Sequence, residues 1–311
     1  MRMHNADEHC GIAQAAVVTG DWWNVLVLRE IARGHVRFDA LAAELGLSRK
    51  VLTERLGRLV ASGVLRRSLY QRRPVRYEYL LTDSGLALLP VLVAMQEWGD
   101  RWVLGDGGTT ATASPQRSGG AEQARVHALA SAGARLPAGL ELPAADGTDH
   151  PVVAPDAAAT VLFTSPGAYP GTSPGAEVHR PAGSIPEHRL FRDAWPDYRR
   201  AGVALRGVSA QPPYEQASVT RAESIPYPLL SDTEHRLTAA LRLPTFRAAG
   251  RLHLKRLVLV LDRERTVRHA LFPVDDIPRA VEDALHLARN TASASASATT
   301  TAFENRPQPQ Q

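Results

Sequence analysis

Basic side chains are concentrated in one short stretch near the start of the chain. Residues 46–76 hold nine arginine or lysine side chains and a single acid, Glu54. Cations at this density suit a polyanion, because each one can neutralise a phosphate and release its counterion. The alternative is a solvated basic face, since the net charge of the whole chain is only +4.

A lone thiol is the second feature that could carry chemistry. Cys10 is the single cysteine of the chain, so an internal disulfide and a Cys/His metal cluster are both excluded. Any thiol chemistry needs a second chain or a small thiol. Cys10 stands just before the first predicted helix, and a helix N-terminus can favour the reactive thiolate. Cys10 is therefore a candidate redox sensor, and an inert structural thiol is the alternative.

Histidines give a weaker signal. His179 and His188 lie in a segment rich in proline and glycine. Two scattered histidines in such a segment are more often solvent-exposed side chains than metal ligands. We predict no metal site and no cofactor.

The apolar periodicity around the basic stretch predicts the elements that position it. Gly46 can supply the positive φ of a tight turn, and Ser48 can cap the helix that follows. In chain order we predict helices over 10–33, 38–45 and 49–62, strands over 64–70 and 76–81, and a helix over 83–103.

This order is typical of a winged helix-turn-helix, an α+β fold. The second helix of the motif places its first residues in the DNA major groove, and the hairpin reaches a flanking groove or phosphates. Side chains expected on that surface are donors to phosphates or base edges. They are Ser48, Arg49, Lys50, Thr53, Arg55, Arg72, Arg73 and Arg76.

Residues 10–102 resemble the HxlR family of transcriptional regulators, and the matching segments follow one another in the family's order. The resemblance is carried by Cys10, Gly20-Asp21-Trp22-Trp23, Leu28-Arg29-Glu30, Arg37-Phe38, Leu47–Thr53, Arg55-Leu56, Tyr77-Glu78-Tyr79, Leu81-Thr82, Leu89-Pro90 and Trp98-Gly99. It implies a MarR-like homodimer on a pseudo-palindromic operator, with dimer contacts from the first and last helices, where Trp98 and Trp102 lie. It also implies that Cys10 can be a redox sensor. Gly11 departs from the proline that many members carry after the cysteine.

Composition predicts the domain organisation. We expect a winged-helix domain over 1–104, a flexible Gly/Ser/Thr-rich linker over 105–133, a second domain over 134–290 and a disordered tail over 291–311. No apolar run of eighteen residues occurs, and the first residues lack a signal-peptide pattern. We therefore predict a cytoplasmic protein that has no membrane partner.

The second domain is predicted to be α/β, because strand-like runs alternate with helical ones. Several short sequence segments of this domain resemble the peroxiredoxin-like (redoxin) branch of the thioredoxin fold. They are Leu140-Glu141-Leu142-Pro143, Tyr169-Pro170-Gly171-Thr172, Phe191-Arg192-Asp193, Gly207-Val208-Ser209, Ile225–Asp232, Leu241–Phe246 and Leu254–Leu257.

The resemblance to redoxins implies that Thr172 and Arg256 support a nucleophilic cysteine. Residues 134–290 contain no cysteine, and a serine hydroxyl cannot replace a thiolate toward peroxide. We therefore predict that the chain is not an enzyme. Its second domain is either a retained scaffold or a module that binds a small effector in a vestigial cleft at Thr172 and Arg256.

Three function classes follow from these residues. The first is a DNA-binding transcriptional regulator, redox- or ligand-responsive, with a degenerate redoxin domain. The second is a thiol-peroxidase-like redox enzyme with a fused DNA-binding module, which the missing cysteine disfavours. The third is a scaffold whose winged helix binds protein, which the basic helix and hairpin disfavour.

Overall fold

A computed structural model describes residues 10–103, 119–167, 185–248 and 251–304. The chain divides into two compact units. Residues 1–96 with 234–240 form the first, and residues 97–233 with 241–311 form the second.

The first unit has the element order of a winged helix-turn-helix. Its elements are α1 (Gly11–Thr19), α2 (Trp22–Ala32), α3 (Phe38–Leu45), α4 (Arg49–Ala61), β1 (Leu65–Arg72), β2 (Val75–Leu81), α5 (Asp83–Leu86) and the start of α6 (Leu89–Trp102). Strands β1 and β2 form an antiparallel hairpin, with Leu65 opposite Leu81 at its base.

Two predicted helices are interrupted. The prediction of one helix over 10–33 is wrong, because α1 ends at Thr19 and α2 begins at Trp22. Asp21 is the N-cap of α2, and its Oδ1 accepts a hydrogen bond from the Trp23 backbone N–H at 3.0 Å. The predicted helix over 83–103 is likewise split into α5 and α6.

A leucine core fixes the angle between the helices of the motif. Leu28, Leu41, Leu52, Leu56 and Leu59 are at most 1% exposed and belong to one cluster. Gly46 follows α3 with a φ of +62°, a conformation that glycine adopts without a Cβ clash. The turn and the core together set α4 across α2 and α3, with its opposite face in solvent.

Glu30 adds a buried ion-pair network at the end of α2. The carboxylate is 1% exposed, and it binds Arg29 at 2.6 Å, Arg33 at 3.2 Å and His35 at 2.9 Å. Burial raises the pKa of Glu30, but the hydrogen bond from His35 and the two guanidinium groups outweigh it and lower the pKa overall. The carboxylate therefore stays ionised and holds the loop after α2 in place.

The second unit is an α/β fold built on one mixed sheet. Its strand order is β11 (Val267–Leu271), β10 (Leu257–Asp262), β5 (Ala159–Thr164), β6 (Val203–Ser209) and β7 (Leu229–Ser231). β5, β6 and β7 are parallel, and β10 is antiparallel to both β5 and β11. Short hairpins add β3 (Glu141–Pro143) with β4 (Asp149–Pro151), and β8 (Thr245–Ala248) with β9 (Arg251–Leu254).

Helices complete the thioredoxin-like arrangement. α8 (Ile185–Arg200) connects β5 to β6, and α9 (Pro213–Glu223) connects β6 to β7. α11 (Ile277–Glu304) follows β11 and packs on β5, β10 and α8. A short helix, α10 (Arg236–Leu241), precedes β8 along the chain, but its residues 236–240 are grouped with the first unit. Phe163 of β5 stacks on Phe191 of α8, with ring centroids 4.0 Å apart, in the centre of the core. The predicted fold class is confirmed for both units.

The prediction of a flexible linker over 105–133 is wrong for its second half. Residues Gly119–Ser131 form α7, which packs on β11. Val126 is buried, and His127 Nε2 lies 2.9 Å from the Phe272 carbonyl oxygen. The Gly/Ser-rich composition stops near residue 120, and the Ala, Glu, Gln and Leu side chains beyond it favour a helix.

The predicted disordered tail over 291–311 also differs from the structure. α11 continues to Glu304, and Thr291 is buried with its Oγ1 donating to the Leu287 carbonyl oxygen. The sequence did not predict that α11 extends this far, because the Ala/Ser/Thr segment has no apolar stripe at helical spacing. Among the described residues, no helix combines the length and apolar character that a membrane span requires.

Candidate nucleic-acid interface

The first turn of α4 presents cations to solvent. Ser48 caps the helix, and its Oγ accepts a hydrogen bond from the Val51 N–H at 3.4 Å. Arg49, Lys50 and Thr53 are exposed, and Thr53 Oγ1 donates to the Arg49 carbonyl oxygen. The Ser48 hydroxyl therefore has a structural role in the helix start, while the side chains of Arg49 and Lys50 face solvent.

The hairpin of β1 and β2 presents a second set of cations. Arg72, Arg73 and Arg76 are all exposed around its tip, where Arg72 pairs with Val75. Arg67 lies over the ring of Tyr77, 5.2 Å from its centroid, which orders part of the strand pair. The predicted hairpin residues thus share one exposed strand pair.

Arg55 does not share this exposure. Its side chain is 15% exposed, and its Nη1 lies 2.8 Å from Asp21 Oδ2, the cap of α2. The helical spacing from Leu52 and Leu56 already places position 55 beside the buried stripe. Arg55 therefore ties α4 to α2 and is removed from the predicted DNA contacts.

Acidic side chains lie among the cations of this surface, and the sequence did not predict them there. Asp39, in the first turn of α3, has Oδ1 at 3.3 Å from Arg49 Nη1 and Oδ2 at 4.0 Å from Arg76 Nη1. Glu78 accepts a hydrogen bond from Arg37 Nε at 2.9 Å. No sequence signal identifies these partners, because they come from three separate elements.

The predicted cleft at Thr172 and Arg256 lies only partly within the described residues. Thr172 and His179 lie outside the described residues. Arg256 is nearly buried, and its Nε lies 3.3 Å from Glu187 Oε2 on the first turn of α8. Burial raises the pKa of Glu187 to about 7, against the opposing effect of the Arg256 guanidinium. A carboxylate of the chain thus already faces the predicted arginine.

His188 is not the exposed side chain that the sequence suggested. It is 4% exposed, and burial lowers its pKa to about 4, so the ring is neutral near pH 7. Within the part of the chain that the structure describes, its Nδ1, Ser165 Oγ and Gln216 Oε1 have no hydrogen-bond partner, and the three side chains line one small pocket.

One group of side chains has the spacing of metal ligands. Glu30, His35 and Glu44 bring their donor atoms within 4.8 Å of one another. Arg29 and Arg33 already neutralise Glu30, and their positive charges would oppose a divalent cation there. The group is better explained as an ion-pair network.

Cys10 is half-buried at the N-cap position of α1. Its backbone carbonyl oxygen accepts the first helical hydrogen bond, from the Gln14 N–H at 3.0 Å. The predicted position before the first helix is confirmed, and reactivity stays a prediction.

The chain has the architecture of a two-unit protein. One unit is a winged helix-turn-helix with an exposed cationic helix, and the other is thioredoxin-like. Residues 18–106 match the HxlR-like helix-turn-helix family, and residues 185–270 match the AhpC/TSA family. The regulator YvaP of Bacillus subtilis, which is described as an uncharacterized HTH-type transcriptional regulator, is 38% identical over 101 residues. These are 32% of this chain and 94% of YvaP. The chain belongs to the HxlR-like helix-turn-helix family.

Two further similar proteins match one unit each. An uncharacterized HTH-type transcriptional regulator of Mycobacterium tuberculosis is 38% identical over 92 residues, 30% of this chain, which spans 58% of that relative's length. The peroxidoxin BcpB of Mycobacterium tuberculosis is 25% identical. It covers 49% of this chain and 92% of its own, with a TM-score of 0.39. The two family matches confirm the predicted pairing of an HxlR-type unit with a peroxiredoxin-like one.

Proposed function

We propose that the chain is a DNA-binding transcriptional regulator whose α4 enters the major groove. The observation that carries this proposal is the joint exposure of Arg49 and Lys50 on α4 and of Arg72, Arg73 and Arg76 on the hairpin. In a winged helix the first residues of the recognition helix meet base edges, and the wing adds phosphate contacts. Ser48 and Thr53 complete the proposed surface, with Ser48 acting through the helix cap.

A homodimer is the second part of the proposal. No residue of α1 is buried, and Ile12 and Val17 are exposed on it. Val91, Met95 and Trp98 are exposed on α6, with Trp98 at 60%. Apolar surface on the first and last helices of a winged helix suits a second copy, because burying it removes it from water. A symmetric dimer would read two half-sites of inverted sequence.

We propose that DNA binding is regulated at two sites, Cys10 and the second unit. Oxidation of Cys10 to a disulfide, with a second copy or a small thiol, would change the position of α1, whose N-cap it occupies. A small effector in the second unit would act at Arg256 and Thr172. Arg256 is nearly buried and its Nε lies 3.3 Å from Glu187 Oε2, so an anionic effector would have to displace that carboxylate.

Selection from a pool of random duplexes tests these proposals together. We expect the reduced chain to enrich an inverted repeat, and oxidant to lower recovery of that repeat. The Cys10→Ser variant should enrich the same repeat with and without oxidant. Failure to enrich any duplex would contradict the DNA proposal, enrichment of a single half-site would contradict the dimer, and equal oxidant effects on both proteins would contradict sensing by Cys10.

The enzyme alternative has a separate test. We propose that the chain does not turn over peroxide through a cysteine, because Cys10 is its single thiol and precedes the AhpC/TSA match. Peroxide consumption with a thiol reductant should equal the rate without protein, for both the unmodified chain and Cys10→Ser. Turnover by the unmodified chain that Cys10→Ser abolishes would contradict this proposal. Turnover that persists in Cys10→Ser would contradict the wider prediction that the chain is not an enzyme.

A further inference from the structure

One carboxylate contacts both elements of the proposed DNA surface. Asp39 lies in the first turn of α3, and its side chain is 65% exposed. One of its oxygens faces Arg49 on α4 at 3.3 Å, and the other faces Arg76 on β2 at 4.0 Å. Arg49 also lies over the Phe38 ring, 5.0 Å from its centroid, so its guanidinium is held beside Asp39 from two sides.

These ion pairs contribute little to the stability of the fold. Arg49 is 78% exposed and Arg76 is 50% exposed, and ion pairs in such surroundings contribute little to stability. Their position matters more than their strength. A carboxylate within the surface that meets DNA repels phosphates and occupies the cations that would otherwise bind them.

Other acids near this surface have different partners. Glu54 pairs with Arg58 one turn along α4, and Glu78 pairs with Arg37. Glu44, on the same helix as Asp39, faces His35 at 3.9 Å. Among these acids, Asp39 alone contacts cations of both α4 and the hairpin.

We propose that Asp39 is a specificity-determining residue that competes with DNA phosphates for Arg49 and Arg76. On a random duplex, both arginines exchange the Asp39 carboxylate for a DNA phosphate and gain little. Repulsion between Asp39 and the phosphates then keeps binding weak. On the operator, Arg49 gains a base-edge partner that offsets the exchange. This inference rests on the proposed function.

The variant Asp39→Asn tests this role with almost no change in shape. We expect it to bind a random duplex about fivefold more tightly than the unmodified chain. Operator binding should change less, so the ratio of operator to random-duplex affinity should fall. Fluorescence anisotropy with the full-length chain measures both affinities at one salt concentration.

Glu44→Gln is the matched control, since it removes the same charge from the same helix. We expect it to change both affinities less than about twofold, because Glu44 faces His35 and contacts neither Arg49 nor Arg76 in the described structure, so its charge acts on DNA only from a distance that salt screens. In an Arg49→Ala, Arg76→Ala background, Asp39→Asn should lose most of its effect.

Three results would overturn the inference in distinguishable ways. Equal tightening by Asp39→Asn and Glu44→Gln would mean that only total charge matters. Weaker duplex binding by Asp39→Asn would mean that Asp39 supports the arginines. Either result would leave the proposed function intact, whereas absence of duplex binding by every form, including the unmodified chain, would remove the proposed function as well.

Discussion

Replacing Glu122 with glutamine should lower the free energy of unfolding of the thioredoxin-like unit by about 3–5 kcal/mol. Glu122 on α7 and Lys255 before β10 are both buried, and Lys255 Nζ lies 2.9 and 2.7 Å from the two carboxylate oxygens. Without the carboxylate, the ammonium group loses its anion in surroundings that exclude water. Hydrogen exchange of β10 and β11 peptides measures this unit separately from the first.

A double-mutant cycle separates the pair from the rest of α7. Glu122→Leu and Lys255→Met alone should each cost about as much as Glu122→Gln, whereas the two together should restore most of the loss, because no buried charge remains. Asp283→Asn is the control, since it breaks an exposed pair with Arg279 on α11. It should change stability by less than about 0.5 kcal/mol. A Glu122→Gln loss as small as that of the control would show that α7 is not anchored by this pair.

The double variant Arg49→Ala, Lys50→Ala should weaken operator binding by about ten- to a hundredfold. Both side chains are exposed on the first turn of α4, so their removal leaves the leucine core unchanged. Arg72→Ala with Arg73→Ala should also weaken binding. It should flatten the dependence of log affinity on log salt by about 2, since each lost phosphate contact accounts for about 0.9.

Arg279→Ala provides the matched control for these variants. It removes one positive charge from an exposed site of α11 in the other unit, with 78% exposure. We expect its operator affinity to stay within about twofold of the unmodified chain. If Arg49→Ala, Lys50→Ala matched this control, α4 would not be the recognition helix.

Local patterns made the first unit largely predictable. The spacing of Leu52, Leu56 and Leu59 and the cap at Ser48 predicted α4 to within one residue of its end, Ala61. The break at Asp21 was missed because Trp22 and Trp23 continue the apolar pattern across it. The cap that begins α2 depends on a single side-chain hydrogen bond, from the Trp23 backbone N–H to Asp21 Oδ1.

Interactions between distant residues set the limit of prediction. Lys255 and Glu122 are 133 residues apart, so no local pattern pairs them. The same holds for Glu187 against Arg256, and for Asp39 against Arg76. Composition could therefore describe residues 119–131 as linker, although a buried ion pair and Val126 anchor them as a helix.

The affinity of the unmodified full-length chain for a random duplex, measured across a salt series, tests the central claim most directly. Arg49, Lys50, Arg72, Arg73 and Arg76 are exposed and can meet phosphates. We predict binding at low ionic strength and a log–log salt slope of about −4 or steeper, because each phosphate contact contributes about 0.9. A folded chain that binds no duplex at low salt, or binds with a slope near zero, would contradict the account.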